Sequence, residues 1–401
     1  MNITHRFLVF FLLISSLAAL AFTAAAPRPA ADSHYLALVG TYTNKTDSKG
    51  IYAFDFDSAS GKLTPKGVAV QTPDPSFLTI HPSGKYTYAV NESGKKSMVG
   101  AFALDPQSGK LTLLNQLPAL GEDPCYLSFD KTGKYVLIAN YSSGNVVVFP
   151  ILPDGKLGEH TANVKDAGAV GPNKERQEGP HAHWIEVSGH NRFVYVADLG
   201  LDRVLIYKFD ASKGTLTPGE TPASDPKATS PSPSNAFSAV LNPGTGPRHV
   251  AFSHDGNFMY VLGEIQSTVT VFANDAREIY REIQRISTLP EGFSGRNDTA
   301  EIAVHSSGKW LYASNRGHDS VAVFAVHPTS GRLELTGDFP TGGKEPRHFA
   351  IDPTGRFLLA ENQNSNSIAV FRIDPATGAL APTGETASVP SPVCLAFLPH
   401  H

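Results

Sequence analysis

The sequence predicts an all-β fold, a seven-bladed β-propeller whose last blade is closed by strands from the N- and C-terminal ends. A unit of apolar strand, glycine turn and second apolar strand recurs along the chain at the spacing of propeller blades. Six copies are complete, and the two ends of the chain supply complementary parts of a seventh. Gly 35 and Pro 30 mark the many turns that short antiparallel strands require.

Ahead of the repeats lies one strongly apolar run. His5 and Arg6 precede Phe7 to Phe22, which is apolar apart from Ser15 and Ser16, and Thr23-Ala24-Ala25-Ala26 follows. This is the layout of a secretory signal peptide, assigned to residues 1–26 with cleavage between Ala24 and Ala31. The run falls short of the roughly 20 residues that span a bilayer, which weighs against a retained anchor. The propeller is assigned to residues 33–401. The mature protein is expected to be exported, periplasmic or secreted, and monomeric, with no membrane partner after cleavage.

The complete copies begin as PSFLTIHPSGKYTYAVN at 75, PCYLSFDKTGKYVLIAN at 124, HAHWIEVSGHNRFVYVAD at 181, PRHVAFSHDGNFMYVLG at 247, AEIAVHSSGKWLYASN at 300 and PRHFAIDPTGRFLLAEN at 346. Third strands such as NVVVFPI and SVAVFAV follow, then turns of the Asp-Pro-x-x-Gly type and a more polar fourth strand. PVCLAFLP at 392–399 supplies only an opening strand, and HYLALVGTYTN, GIYAFDFD and KLTPKG near the start supply the remaining three. Joining the two ends in one blade removes the open sheet edge that would invite aggregation. Segments 158–180 and 219–246 read as surface loops, being rich in Pro, Ser and Gly.

Composition narrows the partners. Apolar residues make up 41% and charged residues 17%, which excludes a disordered chain and a bundle of membrane helices. The formal charge is -4 with no basic block, so nucleic acid is not expected as a partner. Cys125 and Cys394 fall on innermost strands two blades apart, and no disulfide is expected between them.

The first strand of each propeller blade lines the central channel, so equivalent positions form a ring. Aligning the copies places Ser76, Cys125, His183, Arg248, Ala300, Arg347 and Val393 in one ring. A second ring, at the close of each second strand, holds Glu92, Tyr141, Leu199, Glu264, Arg316 and Gln363, with Thr41 as the member from the split blade. The polar, non-repeating character of these positions marks a binding mouth. His183, Arg248, Glu264, Arg316 and Arg347 cluster in consecutive blades. Guanidinium groups match carboxylate or phosphate oxygens, and a glutamate with an imidazole can move protons. The competing reading is that these groups pair with one another and fill the channel. Asn91, Asn140, Asp198, Asn315 and Asn362 recur in nearly every blade and read as turn formers. No cofactor and no metal are expected. His181 and His183 form a pair, but the spacing offers no third or fourth ligand.

With these residues in view, the chain resembles the propeller-type 6-phosphogluconolactonase family, which includes the 3-carboxy-cis,cis-muconate lactonizing enzymes. The likeness rests on GTYTN at 40–44, HAH at 181–183, GPRH at 246–249, Glu264, AEI at 300–302, SNRGHDSVAVF at 314–324 and EPRHF at 345–349. It implies catalytic roles for His183, Arg248, Glu264 and Arg316, the set that the ring alignment also picks out. Arg347 and His181 are added as substrate contacts. The implied activity is hydrolysis of a sugar-acid lactone, a small anionic substrate, with Glu264 and His183 as the acid–base pair in an order the sequence leaves open. A muconate-type cyclisation is the second enzymatic reading, and a non-catalytic propeller that binds an anionic ligand or a protein partner is the third.

Overall fold

The described residues of the computed structural model are 34–218, 238–274 and 280–398, so the expected signal peptide and its cleavage site lie outside them. Among the described residues, no helix is long and apolar enough to cross a membrane.

The strands assemble into seven antiparallel sheets. The innermost strands of blades 1 to 6 are Leu78–Ile80, Pro124–Phe129, Ala182–Val187, Pro247–Phe252, Asp298–Val304 and Pro346–Ile351. Their second strands are Tyr86–Asn91, Tyr135–Asn140, Phe193–Asp198, Phe258–Gly263, Trp310–Arg316 and Phe357–Asn362. Blade 7 joins Pro392–Leu398 to His34–Thr41, Gly50–Asp57 and Lys62–Gln71. In it Ala37 pairs with Phe397 and Val39 with Leu395, as the split repeat predicts.

Both faces of each second strand are mostly apolar because each blade is packed between two others. All six residues of Tyr135–Asn140 are buried. The resulting cores each draw on two neighbouring blades. One joins Val39 and Phe54 of blade 7 to Leu359 and Val370 of blade 6, and another joins Leu36 and Ala53 of blade 7 to Ala89 and Phe102 of blade 1. With these two contacts the ring is closed. Turn glycines reinforce the packing. Gly378 has φ +71°, and an added Cβ there would lie 2.5 Å from the Trp310 ring of blade 5.

Three sequence expectations are corrected. Segment 158–180 is not simply a surface loop. Ala162–Lys165 is the outermost strand of blade 2, and Gln177 is buried, its amide donating to Leu199 O and Asp202 Oδ1. In the second segment, Ser238–Val240 pairs with Arg203–Leu205 at the edge of blade 3, while 219–237 lies outside the described residues. The recurrent asparagines are cross-links rather than turn formers. Asn140 Nδ2 donates to Ala119 O, Asn315 Nδ2 to Thr288 O and Asn362 Nδ2 to Thr341 O, tying each second strand to the segment that leaves its neighbour. The amide satisfies those carbonyls where the strand ends in asparagine, whereas Asp198 of blade 3 accepts instead from the His181 and Leu201 N–H groups, as the turn-former reading expects. Both cysteines are buried free thiols. Cys125 faces the carbonyls of Ala182 and His183, and Cys394 faces that of Leu78.

Candidate active site

The ring residues line the mouth because the innermost strands are bulged. In blades 2 to 7 the pairing slips where the first strand meets the mouth, at Pro124/Tyr126, Ala182/Trp184, Pro247/Val250, Thr299/Ile302, Pro346/His348 and opposite Gly40/Thr41. The residues left out of the ladder include Cys125, His183, Arg248, Ala300, Arg347 and Val393, the positions aligned from sequence. A bulge frees a residue from strict alternation and re-aims its side chain, here toward the axis.

Glu264 is the centre of the cluster. It follows the second strand of blade 4, its N–H bonded to Gly246 O at 2.8 Å. Its Oε1 accepts from Arg176 Nη2 at 2.6 Å and lies 3.1 Å from Arg316 Nη2. Its Oε2 lies 2.9 Å from Arg248 Nε. Arg316 Nη2 also donates to Thr299 O, and Arg248 Nη1 to Ala300 O. The Nε–H groups of Arg248 and Arg316 are buried without an aligned acceptor among the described residues. Three guanidinium groups therefore surround one carboxylate, offset only at the edge by Asp298, 3.5 Å from Arg176 Nη1.

This cluster is drier than a solvated mouth. The side chains of Arg248 and Glu264 are 3% and 5% exposed, and only Arg176 reaches 32%. Burial alone would push the Glu264 carboxyl upward, but Arg316, Arg248 and Arg176 outweigh it and hold the group at about 2. Burial and the Arg316 charge bring Arg248 down to about 10, against the pull of Glu264, so it remains a cation at neutral pH.

His183 sits beside this group. Burial, then the charges of Arg248, His249 and Arg347, push it well below the ordinary imidazole range, so it is neutral at physiological pH. Its Nδ1 is buried with no hydrogen-bond partner among the described residues. Its ring meets those of His249 at 5.2 Å and Tyr141 at 5.5 Å. Among the described residues no hydrogen bond joins it to Glu264. His181 instead stacks on Tyr141 at 4.6 Å and faces Glu178.

Across the mouth, Arg347 Nη2 donates to Tyr42 Oη at 2.9 Å, and Tyr42 Oη donates to Glu92 Oε2 at 2.8 Å. Tyr42 is the true split-blade member of the second ring. Thr41 pairs with Pro392 as Asn140 pairs with Pro124, so Thr41 occupies the cross-linking position and is fully buried. The sequence alignment was one residue short there because GTYTN carries no asparagine at the strand end.

Arg176 is the functional candidate that sequence reasoning missed. It lies in the 158–180 segment, held by the turn in which Gln177 N–H bonds Asn173 O at 2.7 Å. The one available signal was position, since that segment leads directly into His181 at the mouth of blade 3.

Just below the mouth the channel is packed shut. Phe77 and Tyr126 approach to 4.2 Å, Tyr126 and His249 to 5.1 Å, and Phe77 and His348 to 5.9 Å. A cavity of about 10 Å³ remains among Ser76, Glu92, Cys125, Arg248 and Arg347, the least that holds one water.

Comparison with known proteins agrees with this architecture. Residues 36–397 match the family described as "Lactonase, 7-bladed beta-propeller". The 6-phosphogluconolactonase of Bacillus subtilis is 36% identical over 365 residues, covering 91% of this chain and 98% of that protein. The structure of a periplasmic gluconolactonase from Pseudomonas aeruginosa superposes with a TM-score of 0.82 at 34% identity, covering 92% of this chain and 99% of the other. A protein from Lactobacillus plantarum gives a TM-score of 0.82 at 31% identity, covering 92% and 100%.

Proposed function

Because this chain belongs to the seven-bladed β-propeller lactonase family, we propose that it is a lactonase opening the ester of a sugar-acid lactone at the Glu264 mouth. The observation that carries this reading is the gathering of Arg176, Arg248 and Arg316 on the single carboxylate of Glu264, an excess of guanidinium donors beside the neutral ring of His183. Preorganised donors in a water-poor site stabilise the oxygen on which negative charge develops, and the product carboxylate thereafter.

In this mechanism His183 is the base. Neutral, with an unpartnered Nδ1, it takes a proton from water as that water attacks the lactone carbonyl carbon. The tetrahedral intermediate collapses with cleavage of the ring C–O bond, and the imidazolium returns the proton to the leaving alkoxide. Glu264 is the anchor of the arginines rather than the base, because a carboxylate held at about 2 is a poor proton acceptor at neutral pH. Arg347 with Tyr42 contacts the substrate hydroxyls or an anionic tail from the opposite wall. His181 supports the His183 side of the mouth through Tyr141, whose ring it stacks on.

The apolar leader at residues 7–22 and the similarity to a periplasmic gluconolactonase support export, and an exported enzyme meets unphosphorylated aldonolactones. The test is a hydrolysis assay on purified protein with glucono-1,5-lactone and its 6-phosphate. Turnover of the unphosphorylated lactone is expected. Activity on neither compound, nor on other aldonolactones, would defeat the proposal.

A further inference from the structure

Beneath the mouth, the residues after the ring positions of blades 4, 5 and 6 are His249, Glu301 and His348, and the mechanism above uses none of them. His249 Nδ1 lies 3.0 Å from Glu301 Oε2, and His348 Nε2 lies 3.4 Å from the same oxygen. His348 Nδ1 lies 2.7 Å from Glu361 Oε2. At the upper end, Arg248 Nη1 lies 3.3 Å from His249 Nε2. The side chains of His249 and Glu361 are 3% and 0% exposed, and those of Glu301 and His348 are both 12% exposed.

Donor and acceptor rules fix the protons in this chain. An ionised carboxylate only accepts, so His249 must carry its proton on Nδ1, facing Glu301. Its Nε2 is then a lone pair, the one form able to accept from a guanidinium. His348 lies between Glu301 and Glu361, whose carboxyls favour its protonated form, while burial pushes the Glu361 carboxyl upward, so the two share a proton across the 2.7 Å contact. The electrostatics agree. Burial and Arg248 lower His249 to about 4 against the pull of Glu301, while Glu301 and Glu361 raise His348 in spite of its burial. The groups facing His249 are Arg248 on its own strand, Glu301 from blade 5, His348 from blade 6, His183 from blade 3 and Tyr126 from blade 2.

We propose that His249 and Glu301 are positioning residues for Arg248: Glu301, backed by His348 and Glu361, selects the His249 tautomer whose Nε2 accepts from the Arg248 guanidinium and holds it toward Glu264. With the other tautomer an N–H would face an N–H, and the guanidinium would keep Ala300 O as an acceptor but lose the imidazole. The catalytic consequence rests on the role given to Arg248 above, whereas the tautomer does not.

The test combines imidazole nitrogen spectra with kinetics on the full mature chain. In protein labelled with 15N-histidine, a His249→Asn variant identifies the His249 signals. The parent should show a protonated Nδ1 and a bare Nε2 on His249 from pH 5.5 to 8. Glu301→Gln should convert His249 to the Nε2–H form and lower kcat/KM by roughly 10- to 100-fold, the scale of a misplaced catalytic group. Glu301→Asp, which keeps a carboxylate, should restore the tautomer and part of the rate. An Nε2–H or doubly protonated His249 in the parent would overturn the proposal whatever the kinetics. So would a Glu301→Gln protein that switches tautomer yet keeps parental kcat/KM while Arg248→Ala is inactive. Full turnover by Arg248→Ala would remove the positioning role by removing the role of Arg248 itself, and the nitrogen spectra distinguish that failure from the others.

Discussion

Arg176 Nη2 donates to Glu264 Oε1 at 2.6 Å, although the two residues stand 88 positions apart. The contact brings a residue from the segment between blades 2 and 3 onto a carboxylate of blade 4, and it is the outermost of three guanidinium contacts to that carboxylate. Arg248 and Arg316 are inside the protein, whereas Arg176 is about one-third exposed. Arg176 is therefore the member of the cluster that solvent reaches.

Replacing Arg176 with Ala should act on substrate binding more than on folding. We expect KM for an anionic or strongly polar lactone to rise about tenfold, the loss of one charge-assisted hydrogen bond, with the thermal midpoint nearly unchanged. A variant with parental KM would show that Arg176 serves only the resting cluster.

Glu264→Gln should be costly to the fold. Removing one partner of a buried ion cluster leaves uncompensated charge, typically about 3–5 kcal/mol. Urea unfolding should detect a loss on that scale, together with low activity because the arginines lose their common anchor. Parental stability would show that water reaches the cluster freely.

His183→Asn removes the proposed base while keeping a polar group. The expected loss is in kcat, roughly 10²- to 10⁴-fold, with KM changed far less. The parental kcat/KM should stay level between pH 6.5 and 8 and fall on acidification, because the His183 pKa lies well below 6.5 and only the neutral ring accepts a proton. A fall centred at or above pH 6.5 would assign the limb to another group.

Stability should decline in acid in two stages. The folded-state value of His249 is about 4 against 6.5 when free, so the unfolded chain takes up that proton first and stability falls from pH 6.5 toward 4. His183 acts in the same direction. Glu264 and Glu301 are both held at about 2 against 4.5, so their contribution is complete above pH 4.5 and is lost as the pH falls toward 2. His348 opposes this trend, as do the buried carboxyls of Asp166, Asp198, Glu186 and Glu361, since their raised values add stability at low pH that disappears as the pH rises. Denaturant titrations at pH 7.5, 5.5 and 4 should show a larger decrease in the parent than in a His249→Asn variant. The same pH dependence in both proteins would refute the assignment of His249 as a buried neutral ring.

Deleting residues 392–401 should expose the Leu36–Thr41 edge now paired with Pro392–Leu398 and open the ring. Light scattering should report aggregation of the truncated protein. A soluble truncated monomer would argue against closure as the source of stability.

What the sequence determined by itself is whatever repeats locally. Strand alternation, turn glycines and blade spacing are written in contiguous residues, so seven blades, the shared closing blade and the alignment of His183, Arg248, Glu264, Arg316 and Arg347 could be read without coordinates. The burial and partnering of those residues could not. The bulges that turn ring side chains inward are pairing irregularities between strands, and the reach of Arg176 depends on a segment outside the repeat. The place of Tyr42 depends on the register between the two ends of the chain. The dryness of the mouth follows from how seven blades crowd one axis. That crowding sets Glu264 at about 2 and fixes the proton on His249, because the charges that shift them come from neighbouring blades and the connecting segment, and only the closed ring brings these together.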